Sequence, residues 1–259
     1  FEDIELPIPA YTFGALLGDG CLGDAIQFIN IDNEIIDKIK KEINPFGCEL
    51  INQGGISYNL RSNVINNKTA RLVKIFNIET GEEKLYDSIG EAIKSTGIDR
   101  NYLNRYCSSN KTVNNLSYEF LDPGKKWQNP IKEELYKLEL LNKTAPYKFI
   151  PDIYKYNSIE KRLEVLRGLM DTDGSVNKRT GEATFYSSSK QLAEDVIDII
   201  RSLGGRAILR SRNRKGVSHL KEGRQIISKQ ISYEITISLP ENLNPFFISR
   251  KKDYFKSKN

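Results

Sequence analysis

The sequence predicts an α+β protein: a pseudo-twofold pair of half-domains, the first ordered helix, strand, helix, strands and the second following the same order in fuller form, with a small α+β module inserted in the first half. Three observations carry this. A short apolar stretch ending in Asp-Gly occurs twice, at Tyr11–Gly20 and Val165–Gly174. Each copy is followed by strand-like alternation and then an amphipathic helix. Far more chain separates the two copies than follows the second, so the first half holds a surplus.

In chain order, Pro7 and Pro9 keep the entry extended, which places a boundary just before the first motif helix. After Gly20, Asp24–Ile31 alternates like a strand. Asp32 is expected to cap a helix through Ile35, Ile36, Ile39 and Ile43, ended by Asn44-Pro45. Cys48–Ile51 and Ile56–Arg61 read as strands joined at Gly54-Gly55.

The surplus lies at Arg71–Asp122. A hairpin, Leu72–Ile78 with Glu83–Tyr86, turns at Thr80-Gly81. Ser88 caps a helix through Ile89, Ala92 and Ile93, a turn follows at Thr96-Gly97, and a second helix runs from Asp99 to Cys107 before a strand at Ser117–Leu121. Two short helices about a tight glycine turn suggest a helix-turn-helix-like reader, with Arg100, Asn101, Asn104 and Arg105 on the outer face of its second helix.

From Pro130 the first half resumes with a helix at Ile131–Leu141. The second motif helix, 158–172, precedes strands near Ser175–Lys178 and Ala183–Ser188. A helix from Ser189 carries Leu192, Val196, Ile199 and Ile200 on one face and ends at Gly204-Gly205. Strands at Ala207–Arg212 and Ile231–Leu239 follow. The last has Ile231, Tyr233, Ile235, Ile237 and Leu239 on one side and Ser232, Glu234, Thr236 and Ser238 on the other, the pattern of a sheet that packs helices on its back and offers its front to a ligand. Phe246–Phe255 reads as a docking tail with Arg250, Lys251 and Lys252 exposed. The expected divisions are 1–69 and 124–150 for the first repeat with its linker, 70–123 for the module, and 151–259 for the second repeat.

Aligned on their final glycines, the motifs match Gly14 with Gly168, Asp19 with Asp173 and Gly20 with Gly174. Gly14 and Gly18 are four apart, as are Gly168 and Thr172, so each helix shows a stripe of small residues that lets two backbones approach. Gly20 and Gly174 are expected to end their helices in the left-handed conformation. Packed face to face, the helices bring Asp19 and Asp173 together at their C-terminal ends, where the macrodipole disfavours a carboxylate; a cation partner follows, and two hard oxygen ligands suit Mg2+.

These stretches resemble the two motifs of a LAGLIDADG homing endonuclease. The second copy, Leu166-Arg-Gly-Leu-Met-Asp-Thr-Asp-Gly174, is close to the family pattern, and the first departs from it at Leu17, where an earlier acid often stands. The resemblance implies antiparallel, saddle-shaped sheets over the DNA major groove, and Asp19 and Asp173 as catalytic ligands of a divalent cation, Mg2+ or Mn2+. It leaves Asp171 a structural role. Lys148-Phe-Ile-Pro151 resembles intein-associated members, which makes Lys148 a candidate for assisting cleavage. The insert resembles the small DNA-binding modules of the NUMOD type attached to homing nucleases, in its Val-Lys-Ile-Phe-Asn start, Asp-Ser-Ile-Gly-Glu-Ala-Ile core and Tyr-Glu-Phe end.

Composition narrows the classes. No run approaches the roughly 20 apolar residues that span a bilayer. A net charge of +5 suits a nucleic-acid partner. Three scattered cysteines argue against a disulfide framework or a Cys-based zinc site and for a reducing, intracellular compartment. The single histidine, His219, reads as a loop residue, and its solitude argues against histidine-dependent hydrolases. Arg206, Arg210, Arg212, Arg214 and Lys215 cluster on and after one strand, the even-numbered arginines on one face, as a row for phosphate or guanine. Arg61, Gln27, Lys178 and Tyr186 are candidates on the matching strands. The expected protein is a monomer that makes double-strand breaks at a long, asymmetric DNA target, housed in an intein or encoded in an intron. The alternative is a non-cleaving binder on the same fold, an RNA-splicing maturase or transcription regulator. The missing terminal splicing residues, Cys or Ser at the start and His-Asn at the end, lead us to expect no splicing.

Overall fold

The computed structural model describes residues 1–63, 72–109, 111–120, 129–213, 216 and 230–257, with the backbone alone of 218–221 and 224–227. The chain divides into two compact units, 1–63 with 129–259, and 64–128.

The first half of the larger unit opens with α1 (Ala10–Asp19), which passes directly into β1 (Gly20–Leu22) and then β2 (Ile26–Ile29). Next come α2 (Asn33–Ile43), β3 (Cys48–Gly54) and β4 (Ser57–Ser62). α2 buries Ile35, Ile36, Ile39 and Ile43, the stripe its period requires. Gly54 and Gly55 take φ of 113° and 59°, a reversal that side chains with a Cβ resist. One expectation is corrected: Asp32 occupies the N-cap position but makes no cap bond. Its carboxylate instead accepts from Arg250 Nε at 2.8 Å and NH2 at 2.6 Å, a two-pronged charged pair that wins over a cap.

The smaller unit contains β5 (Val73–Asn77), β6 (Glu83–Tyr86), α3 (Ile89–Thr96), α4 (Arg100–Ser108), β7 (Thr112–Val113) and β8 (Leu116–Phe120), with sheet order β6-β5-β8-β7. Ser88 Oγ accepts the Glu91 amide while Glu91 Oε2 accepts the Asp87 amide, so both ends of the cap are satisfied. Val73, Ile75, Tyr86, Ala92, Leu103, Cys107 and Tyr118 form a core of its own. β7 was not expected. Asn114 and Asn115 both have positive φ, 49° and 62°, the backbone of a tight hairpin that asparagine tolerates.

The rest of the larger unit begins with α5 (Pro130–Lys137), which stops short of the expected Leu141 because Glu139 and Asn142 turn to positive φ. It continues through α6 (Asp152–Lys155), α7 (Ile159–Asp173), β9 (Gly174–Val176), β10 (Ala183–Ser187), α8 (Lys190–Ser202), β11 (Arg206–Asn213), β12 (Ser218–Lys221), β13 (Arg224–Ile227), β14 (Ile231–Ser238) and α9 (Ser249–Lys252). The hairpin of β12 and β13 puts the backbone of His219 in a strand, not in a loop.

The two antiparallel sheets of this unit run β1-β2-β4-β3 and β9-β10-β14-β11, the same order strand for strand. The fold is therefore α+β with repeated αββαββ halves, the β12–β13 hairpin being an addition to the second. α1 and α7 pack together at the centre; residues Tyr11 to Leu17 of α1 are all buried, and the one aliphatic hydroxyl among them, Thr12 Oγ1, donates to Glu42.

Candidate metal and nucleic-acid site

The seam between α1 and α7 depends on missing side chains. A methyl at Gly14 would run into the Val165 carbonyl and approach Leu169 N to 3.1 Å, and one at Gly168 would meet the Tyr11 carbonyl and Ala15 N. Gly18 lies under Thr172, whose Cβ would be 2.7 Å from an added methyl, and beside Asp173 Oδ2. The small-residue stripes thus face each other. Gly20 and Gly174 need correction, since both are extended, at φ of −84° and −96°. Glycine is required there for another reason: a Cβ would press on the preceding turn, against Leu16 and Met170. The helices therefore pass straight into strands, with an aspartate at each corner.

At the first corner, Asn30 Nδ2 donates to Asp19 Oδ2 at 2.7 Å, and Asn30 Oδ1 accepts the Asp32 amide at 2.7 Å, which fixes the asparagine. Burial raises the Asp19 carboxyl above its usual range, against the lowering effect of Asn30. At the second corner burial, and then the neighbouring Asp19, push Asp173 up to about 6. The two acids therefore sense each other across the seam. Asp171 is also raised to about 6 by burial, but it points elsewhere: it accepts from Tyr11 Oη at 2.8 Å and from the amides of Phe247 and Ile248.

Two lysines answer the carbonyls that each helix end leaves open. Lys148 Nζ donates to the carbonyls of Leu17 at 2.8 Å and Gly20 at 2.7 Å, with longer contacts to Leu16 and Gly18. Lys251 Nζ does the same for Met170 at 2.9 Å, Asp171 at 2.6 Å and Gly174 at 2.7 Å. Both are buried, and burial lowers both, Lys251 to about 8. Lys251 is thus not the exposed tail residue expected from sequence. Part of the cation requirement inferred from the helix dipole is met by these ammonium groups.

A divalent cation still fits. Asp173 is a half-buried carboxylate whose pKa is raised by burial and then by a second carboxylate, a pair whose charge a hard cation relieves. Among the described residues no cluster of three or more His, Cys, Asp or Glu side chains forms, so the protein would supply Asp19 and Asp173 and leave positions open.

A cleft of roughly 310 Å³ joins Asp173, Gly18 and Lys148 to Tyr186 and Ser232 on the polar face of the second sheet. Register puts Arg206, Ile208, Arg210 and Arg212 of β11 on that face, all exposed, beside Ser232, Glu234, Thr236 and Ser238 of β14 and Thr184 and Tyr186 of β10. Arg212 NH2 contacts Glu234 Oε2 at 3.0 Å. Arg214 and Lys215 lie outside the described residues. Lys178, beyond β9, holds its ammonium 5.1 Å from the Tyr254 ring centre. On the first sheet Cys21, Gln27, Asn59 and Ile51 align across one face, and Arg61 pairs in register with Glu49 on the same side. In the smaller unit Arg100, Asn101, Asn104 and Arg105 are exposed on α4, with the Arg105 guanidinium over the Tyr102 ring at 5.2 Å. Sequence reasoning passed over Asn30, whose signal was its place two residues before a helix N-cap, and the burial of Lys251, signalled by apolar Phe246 and Ile248 just before it.

Comparison with known proteins adds a family model described as a LAGLIDADG-like domain, matched by residues 160–236, and a NUMOD1 domain model, matched by residues 71–106. The LAGLIDADG-like match runs from within α7 into β14 and contains Asp173. Replicative DNA helicase DnaB of Mycobacterium intracellulare is 34% identical over 104 residues, 40% of this chain and 16% of that protein, so the chain spans under a fifth of this relative. Structures of the homing endonuclease I-DmoI match loosely over 90% of the chain: mesophilic variants with 12% identity, 89% of that chain and a TM-score of 0.39; its complex with DNA and Mn with 13%, 89% and 0.38; and its complex with DNA and Ca with 13%, 83% and 0.39.

Proposed function

We propose that this chain is a site-specific DNA endonuclease that makes double-strand breaks at a long, asymmetric target. The observation that carries the reading is the meeting of Asp19 and Asp173 at the ends of two crossing helices, next to a sheet face lined with arginines. A protein that only binds nucleic acid gains nothing from two half-buried, mutually repelling carboxylates beside phosphates. Asp19 and Asp173 would hold Mg2+ or Mn2+, which when bound supplies charge neutralisation at the scissile phosphate. Asn30 holds Asp19 in orientation. Lys148 and Lys251 pin the two corners and add positive potential, and the arginines of β11 grip the backbone on either side. The exposed α4 of the NUMOD1 domain supports a second, tethered DNA contact. The short match within a replicative helicase fits a nuclease housed in a larger host protein, which is the setting we propose.

The test is selection of cleaved sequences from a randomised duplex library with Mg2+, repeated with Asp19→Asn and Asp173→Asn. We expect wild type to recover one long site and each variant to bind it within a few-fold while failing to cut both strands. Full double-strand cutting by either variant would overturn the assignment; sequence-selective binding without any cutting by wild type would favour the maturase or regulator reading.

A further inference from the structure

Among the described residues, Glu234 is the one acid within the four strands β9, β10, β14 and β11. It stands on their polar face, directly opposite Arg210 on one side and Tyr186 on the other. A carboxylate there weakens any phosphate contact made by the arginines around it, so backbone binding gives no reason for it. A carboxylate in a major groove has a favourable partner in the exocyclic amine of cytosine. Its side chain is only 16% exposed and is held by Arg212 at 3.0 Å, so it is oriented in advance. The contact is made through NH2 of the Arg212 guanidinium, whose side chain is 49% exposed. Its remaining donors suit the O6 and N7 acceptors of guanine. Acceptor and donor side by side on one sheet face reproduce, in complement, the edge of a single G·C pair.

Building on the endonuclease reading, we infer that Glu234 and Arg212 together read one G·C base pair in the target, cytosine against Glu234 and guanine against Arg212. Both are specificity-determining residues and neither takes part in bond cleavage. The pair also excludes other bases. Thymine offers Glu234 an acceptor, and adenine offers Arg212 an amine donor beside N7, each a like-with-like encounter.

The experiment measures binding of wild type, Glu234→Gln and Glu234→Ala to the selected site and to its single-pair variants, with Ca2+ present and with melting temperature as a control for folding. Wild type is expected to prefer G·C at one position by about 10-fold or more. Both variants should lose that preference at that position alone, keep the others, and melt near wild type. Variants that keep every preference, or bind all sequences more tightly by the same factor, would overturn the inference and show Glu234 as a mere charge on the face. If wild type selects no sequence at all, the endonuclease reading itself fails; loss of the inference alone requires selective wild-type binding that Glu234→Gln leaves unchanged.

Discussion

Asp173 is a carboxyl whose charge the fold resists, and the sign of that resistance is testable. Its folded pKa of about 6 lies above the unfolded value of 3.8, so the fold keeps a proton that the unfolded chain loses. Metal-free stability is therefore full below about pH 4, falls as pH rises towards 6 and stays lowered above it. Asp173→Asn should raise the melting temperature of the metal-free protein at pH 7.5 and shrink the loss between pH 4 and 6, part of which remains because Asp171 is raised in the same way. A lower melting temperature for this variant at pH 7.5 would show that the charge is compensated. The lysines run the other way. Lys148→Met or Lys251→Met keeps the side-chain length but strands several helix-end carbonyls, at a cost of about 1–3 kcal/mol each. Calorimetry should register several degrees of destabilisation for either, and no change would mean that solvent replaces the ammonium group.

At the level of elements, the α1–α7 seam tolerates no added atoms on its glycines. Gly14→Ala and Gly168→Ala drive a methyl into backbone of the facing helix, an overpacking that costs about 1–3 kcal/mol. Both should lower the melting temperature and reduce cleavage although neither touches an aspartate. Gly23→Ala, whose methyl would come no closer than 3.9 Å to Ala25 O, serves as control and should leave both unchanged. Cleavage by Gly14→Ala at the wild-type rate would show that the helices can separate without moving the carboxylates. The tail is the other telling element: through Ser249 and Arg250 it reaches Glu34 and Asp32 beside the first corner, and through Lys251 the end of α7 in the second. It ties the C-terminus to both halves.

Across the whole molecule, the two units have separate cores, the smaller built on Val73, Ile75 and Leu103 and the larger on the motif helices and their sheets. Where the larger unit is interrupted its edges lie close, since Asn129 Nδ2 donates to the Leu60 carbonyl at 3.0 Å. Replacing 64–128 by a short Gly-Ser linker should therefore leave a folded core that cuts its site at higher protein concentration and protects a shorter length of DNA. Footprinting and calorimetry check both halves of the statement. An unfolded product would show that the smaller unit is needed to complete the fold of the larger one, and an unchanged footprint would remove it from DNA contact.

The sequence by itself determined the repeat, the αββαββ order of the second half and the two acids, because periodicity and glycine spacing are local properties of the chain; in the first half it showed one strand after the motif helix, and the three residues of β1 are too few to show a period. It also marked the face that carries Arg206, Arg210 and Arg212, since alternation on one strand sets sidedness. Only tertiary structure decided what surrounds those residues. Lys148 and Lys251 meet the carbonyls of Leu17 and Asp171 far from them in sequence, so nothing near either lysine marks it as a helix cap. Asn30 reaches Asp19 because β1 and β2 fold back on each other, and Glu234 meets Arg212 because β11 and β14 pair across a hairpin. Gly20 and Gly174 look like left-handed caps in sequence, where the residue type alone is visible. The requirement they meet is steric room beside a preceding turn, and that is fixed only once each helix runs on into its strand.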